Sequence, residues 1–192
     1  ENRFLTRQDL DSVSDQHPIL VSHRAGHVFY LNSRALELAG FNRDTVDPPG
    51  GRFGRDPGTG ELTGVVYERA IEPLRQGLLP PVTPEVRRQG LIRICQMLTQ
   101  AGLTSVHDAR VTNDELITYQ EGRDSGELTL RAYLLMAHDH FPALRDAGIK
   151  TGFGDDRLRL GGIKMVADGA IASRTAYLSE PYIGSPCDHG IL

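Results

Sequence analysis

The sequence has 192 residues, 39% of them hydrophobic and 24% charged, with a formal net charge of −4. Such a length suits one domain, or a domain with a small lobe, and the balance excludes the disordered and membrane-embedded classes. The charge shows no basic stripe of the kind a nucleic-acid binder carries, no apolar run nears the ~20 residues that span a bilayer, and Glu1-Asn2-Arg3-Phe4 does not open a signal peptide.

The first third reads as irregular α+β. An extended run, Pro18 to His23, leads to Gly26-His27-Val28-Phe29-Tyr30-Leu31. Asn32 or Ser33 can then cap a short helix from Arg34 to Leu38 that stops at Gly40. Asp47-Pro48-Pro49-Gly50-Gly51 is a loop by its chemistry. Arg52 to Arg55 and Leu62 to Tyr67 flank a Gly/Pro/Asp cluster, which predicts a β-hairpin. A further short helix is expected over Glu68 to Arg75.

From Thr83 the texture changes, which places a lobe boundary between residues 82 and 83. Thr83 is an N-cap with Pro84 at the first helical position. Val86, Leu91, Ile94, Cys95, Leu98 and Ala101 keep helical spacing until Gly102. Leu103 to Ala109 follows as a buried strand. Asn113 caps a second helix to about Arg123, with Leu116, Ile117 and Gln120 on one face. A strand over Leu128 to Ala137, a helix over Pro142 to Ala147 and a strand over Leu158 to Ala167 complete the pattern. Apolar strands alternating with helices predict parallel βαβ units. They could be staves of a (β/α)8 barrel or part of a doubly wound sheet, but no Gly-x-Gly-x-x-Gly follows any strand.

Cys95 falls on the apolar side of its helix and reads as a buried free thiol; Cys187 is distant from it. No disulfide framework is indicated, which favours a reducing, cytoplasmic location. The chain lacks an initiator Met and stops within what reads as an ordered segment, so both ends are expected to be cut.

Reacting groups in parallel α/β folds sit at the C-terminal ends of strands. That rule selects His107 and Asp108, then His138 and His140, then Lys164 and Asp168. All but two of the 21 basic residues are arginine; the two lysines are Lys150 and Lys164. A lysine in the apolar strand Gly161 to Ala167 must find a carboxylate, snorkel to the surface, or lose its charge. A neutral amine can react with CO2 to give a carbamate able to bridge two metals. A structural salt bridge to Asp168 is the plainer alternative. A backbone-carbonyl bond is the alternative for His107, and His138-x-His140 reads as loop rather than as a metal pair. Ser22-His23-Arg24-x-x-His27 lacks the Gly-x-Ser-x-Gly elbow of a nucleophile.

Three stretches together resemble one family. They are Ser22-His23-Arg24-Ala25-Gly26-His27 with Leu31-Asn32-Ser33-Arg34-Ala35-Leu36; Ala101-Gly102-Leu103-Thr104-Ser105-Val106-His107-Asp108-Ala109; and Ile163-Lys164-Met165-Val166-Ala167-Asp168-Gly169-Ala170 with Ser173-Arg174-Thr175-Ala176. The set, with Pro48-Pro49-Gly50-Gly51, is similar to the YtcJ-like third family of the amidohydrolase superfamily. The resemblance implies an α/β fold, part of a (β/α)8 TIM-type barrel over residues 83–192, with an α+β insertion lobe over residues 1–82 that contains the hairpin.

The same resemblance implies a hydrolase of amide or other non-peptide C–N bonds, in which a metal-activated water attacks the carbonyl. Lys164, as a carboxylated lysine, is the implied metal ligand. His27 and Asn32 would lie in the insertion at the site's mouth, and His107, Asp108, Asp168 and Arg174 would line the site or bind substrate. The cofactor implied is a divalent metal, zinc, in the longer parent. The family's His-x-His pair and its later histidines and aspartate have no counterpart here, so the fragment itself is expected to bind no metal and to be inactive. The partner implied is a small amide-like molecule, without nucleic acid or membrane, and with a homo-oligomer as one way to cover unpaired strand edges. The alternatives are a non-catalytic binding domain with a structural Lys164, and a metal-independent lyase or aldolase using Lys164 as a Schiff-base amine.

Overall fold

The structure, a computed structural model, describes residues 4–77 and 79–192. Glu1 to Arg3, read above for a leader, lie outside them, as does Leu78. The architecture is α/β and divides into two units, Glu1–Pro80 with Ala167–Leu192, and Pro81–Val166. The residues after 166, grouped with the strands and helices from 83 onward in the sequence, therefore make their contacts in the first unit.

In the first unit a four-stranded antiparallel sheet runs in the order β1-β2-β4-β3. Its strands are β1 (Leu20–Ser22), β2 (Val28–Leu31), β3 (Gly51–Arg55) and β4 (Leu62–Glu68). The expected hairpin is β3-β4. All four residues of β2 are buried because both of its faces are covered. On one face Phe29 and Leu31 pack with Leu36, Phe53, Val66, Ile71 and Leu74, drawn from α2 (Ser33–Leu38), the 3-10 turn Arg69–Ile71, α3 (Glu72–Gly77) and the strands. On the other, Val28, Tyr30 and Val65 meet Leu10 of α1 (Arg7–Asp11). Helix α1 has only five residues, too few to show a periodic pattern. Its start is nevertheless fixed by a capping box, in which Thr6 and Asp9 bond each other's backbone N–H.

In the second unit, α4 (Pro84–Gln100), β5 (Ser105–Val111), α5 (Asn113–Asp124), β6 (Arg131–Ala137), α6 (Phe141–Asp146) and β7 (Leu158–Lys164) form three strand–helix repeats. The strands are parallel in the order β5-β6-β7. Thr83 caps α4 as expected, whereas Thr112, not Asn113, caps α5 in a box with Glu115. Leu134 and Met136 of the central strand are fully buried, with Leu91, Cys95, Val111, Leu128 and Leu130 around them. Full burial of one such side chain contributes roughly 1.5–3 kcal/mol.

Three expectations change in this unit. Strand β5 is largely exposed instead of buried, since it is an edge strand and only Val106, Asp108 and Val111 turn toward the helices. Ile117 and Gln120 are exposed, and α5 instead turns Thr118, Tyr119 and Gly122 inward. Strand β7 ends at Lys164, opposite Ala137, because β6 ends there and residues 165–167 find no ladder partner.

Candidate functional site

The sheet of the second unit sorts its polar residues by the two-residue period of a strand. Asp108 turns to the helix side, where its carboxylate accepts the Tyr119 hydroxyl at 2.8 Å. Burial, with Asp108 beside it, holds the Tyr119 phenol well above its usual range. That carboxylate ties β5 to α5. His107 turns to the opposite face and lies against the Tyr133 ring, centroids 4.8 Å apart. Gly161 makes room for that ring, since a Cβ there would overlap it. His107 and Asp108 are therefore on opposite faces of the sheet.

Lys164 is the last residue of β7, at the C-terminal edge of the parallel sheet, and is exposed. It has no ion pair among the described residues, so the side chain is not held as the salt-bridge partner a structural lysine would be. His107 pairs with Tyr133, whereas Lys164 pairs with Ala137 four residues further along β6. At a rise of about 3.3 Å per residue the two rows stand roughly 13 Å apart. Both side chains belong to the same face, but they do not converge. Strand β5 runs on to Val111, which leaves His107 mid-strand instead of at the strand end. His138 and His140 lie in a 3-10 turn leading into α6.

In the first unit Asn32 is fully buried. Its Oδ1 accepts from the Ile19 N–H and the Ala35 N–H, both at 2.9 Å. Its Nδ2 donates to the Ser14 and His17 carbonyls, both at 2.8 Å. An amide side chain offers two donors and two lone pairs, so none is left over. Asn32 caps α2 and pins the segment before β1. Ser22 donates to the His23 carbonyl, and among the described residues it makes no hydrogen bond to a histidine side chain.

His27 is different. Its Nδ1 lies 2.9 Å from both carboxylate oxygens of Glu68, and its side chain is 26% exposed. Glu68 has φ +51° and ψ −126°, a conformation that glycine takes freely and that costs other residues on the order of 1–3 kcal/mol. The expected site residues did not include Glu68. No local pattern marks it, since its partner is 41 residues away.

Arg174 and Asp168 belong to one tightly bonded loop. Asp168 Oδ2 accepts from the Tyr177 N–H at 2.8 Å. Thr175 Oγ1 accepts from the Ala170 N–H at 3.0 Å, and Ser173 and Thr175, both fully buried, bond each other. Between these two anchors Arg174 is exposed in the left-handed region, φ +55°. Among the described residues the guanidinium hydrogen-bonds the Ser185 hydroxyl, at 3.4 Å. Nearby, Arg52 grips both oxygens of Asp188 at 3.1 Å and lies over the Tyr67 ring at 4.6 Å.

The Arg52 hydrogen bonds hold the Asp188 carboxyl below its usual range. Because the folded-state value is the lower one, this stabilisation is complete above ~4 and fades as pH falls through the depressed value. Asp188→Asn is expected to lower stability by about 1 kcal/mol at neutral pH. The gap to wild type should close in acid. Urea midpoints across the acid range would show it, and a gap that does not change with pH would mean the ion pair contributes nothing.

No group of three or more His, Cys, Asp or Glu side chains able to hold a metal gathers among the described residues. With Lys164 as a lone candidate and His107 well removed, the donors described here do not form a metal site. Cys95 is buried and Cys187 exposed, both free. No helix among the described residues is long and apolar enough to cross a membrane.

Comparison with known proteins bears on these groups. The profile of the amidohydrolase family matches residues 1–191. Over 193 aligned residues the chain is 30% identical to YtcJ of Bacillus subtilis (strain 168), an amidohydrolase by name, covering 98% of this chain and 36% of that protein. It is 28% identical over 151 residues to the N-substituted formamide deformylase of Arthrobacter pascens, covering 77% of this chain and 28% of the relative. A metal-dependent hydrolase of Pyrococcus furiosus superposes with a TM-score of 0.60 at 27% identity, over 99% of this chain and 38% of that one. A second, from Pyrococcus horikoshii, gives 0.61 at 24% identity, over 99% and 36%. The chain thus spans about a third of the length of these relatives.

Proposed function

This chain belongs to the amidohydrolase family, and from that premise we propose that it forms part of a metal-dependent hydrolase cleaving amide or other non-peptide C–N bonds of small molecules. Its second unit supplies staves of a (β/α)8 barrel, and its first unit supplies an insertion lobe. The observation that carries the reading is the position of Lys164. It ends a parallel strand, on the edge where α/β enzymes keep their reacting groups, and has no ion-pair partner among the described residues.

In this reading Lys164, as its carbamate, contributes a ligand to a divalent metal centre, taken to be zinc. The metal supplies an activated water when bound. Among the described residues no other donors gather into a metal-holding group, and on this reading the 192 residues by themselves are inactive. His27 and Arg174 bind substrate: His27 offers a ring nitrogen, and Arg174 offers a cation on a rigid turn. Asn32 and Asp108 serve the fold. A cytoplasmic location and self-association along the sheet edges belong to the same proposal.

The test is metal analysis of the longer protein, together with its hydrolysis of a panel of simple amides and N-substituted formamides. Bound divalent metal and turnover that chelation abolishes are expected. A metal-free protein that turns over none of them would sink the reading.

A further inference from the structure

Glu68 presents a problem that the fold alone does not solve. The chain must turn at residue 68 with positive φ, and glycine would do so without strain. A glutamate stands there instead, and its surroundings are shaped to keep it. The Glu68 N–H donates to the His27 carbonyl at 2.9 Å, and the Arg69 N–H donates to the Gly50 carbonyl at 3.2 Å. Gly51 pairs with Glu68 across the ladder, and a Cβ on Gly51 would collide with the Ala70 backbone. Gly50, itself at φ +72°, and Gly51 therefore let residues 68–70 lie directly on the start of β3. Both carboxylate oxygens come to His27 Nδ1. Strain maintained by its surroundings is characteristic of a side chain with a task.

We propose that Glu68 is a positioning residue: it fixes His27 as the Nδ1–H tautomer, so that Nε2 accepts the N–H of the amide substrate. The proposal rests on the hydrolase reading above. A carboxylate accepts hydrogen bonds only, so the proton of a neutral imidazole must sit on Nδ1. Nε2 then carries the lone pair. It has no protein partner among the described residues, and the ring is partly exposed. A group that only accepts, held in one orientation, suits a secondary amide or formamide N–H better than a tertiary amide, which has none.

Glu68→Gly separates backbone from side chain, because glycine accommodates φ +51° while removing the carboxylate. Nitrogen-15 NMR of the histidine rings in the 192-residue chain, with His27→Asn to identify the signal, should show the Nδ1–H tautomer in wild type. In Glu68→Gly that signature should be lost while the far-ultraviolet spectrum is kept. Glu68→Gln, whose amide oxygen can still accept, should retain it. In the longer hydrolase, Glu68→Gly should raise KM about tenfold for a secondary amide and leave its N-methylated counterpart unchanged. An unaltered His27 tautomer in Glu68→Gly overturns the positioning role. An equal change in KM for both substrates overturns the acceptor role. The NMR result stands even if the longer protein proves not to be a hydrolase.

Discussion

Asn32→Ala is expected to destabilise the first unit by on the order of 3–5 kcal/mol, enough to leave it largely unfolded near body temperature. The side chain satisfies two backbone N–H groups and two carbonyls, from Ser14, His17, Ile19 and Ala35. An N-cap alone is worth about 1 kcal/mol. Each buried backbone group left without a partner costs about 1–3 kcal/mol more, and water entering the new gap recovers part of that. Asn32→Asp keeps both acceptors but puts a charge at a fully buried site and loses both donors, so it should not rescue. Urea unfolding followed by circular dichroism reads the effect. A wild-type midpoint in Asn32→Ala, alongside lost hydrolysis in the longer protein, would return Asn32 to the substrate site that family resemblance implies for it.

Lys164→Ala is expected to have the largest effect on activity and almost none on folding. The side chain is exposed and without an ion pair among the described residues, so truncation leaves no void and no orphaned charge. Stability should move by no more than about 0.5 kcal/mol, as surface changes do. If Lys164 provides the bridging carbamate, metal content and turnover of the longer protein should both fall by at least about 100-fold. Removing even an outer partner of a metal ligand costs 10–100-fold, roughly. Lys164→Glu, which supplies a permanent carboxylate on a shorter stem, should regain part of the metal. Unchanged metal and turnover in Lys164→Ala would remove the lysine from the reaction.

Much of the fold can be read from local chemistry. Thr83-Pro84 starts α4 and Gly102 follows its end; the Asp56-to-Glu61 cluster closes the β3-β4 hairpin; the βαβ rhythm from residue 83 onward gives a parallel sheet. Each of these rests on a residue whose backbone preference acts within a few positions of itself. The opposite faces of His107 and Asp108 were legible too, because adjacent residues on a strand point apart. The likeness to family motifs drew them together nonetheless.

Other features needed the tertiary structure. Asn32 and His27 look alike in sequence, polar residues beside an apolar strand, yet one is closed off by four backbone groups and the other faces outward against a carboxylate. Glu68 cannot be recognised from its neighbours, because what makes it unusual is a positive φ beside Gly50 and Gly51 and a partner across the sheet. Where β7 stops depends on where β6 stops, so the exposure of Lys164 is a property of the ladder and not of its own apolar run. By itself the sequence determined the α/β class, the parallel sheet and the family, since propensities, caps and periodicities act over short spans. Only the tertiary structure decided which polar side chains the backbone consumes and which keep an atom outside those bonds, because hydrogen-bond partners and strain arise between residues far apart in the chain.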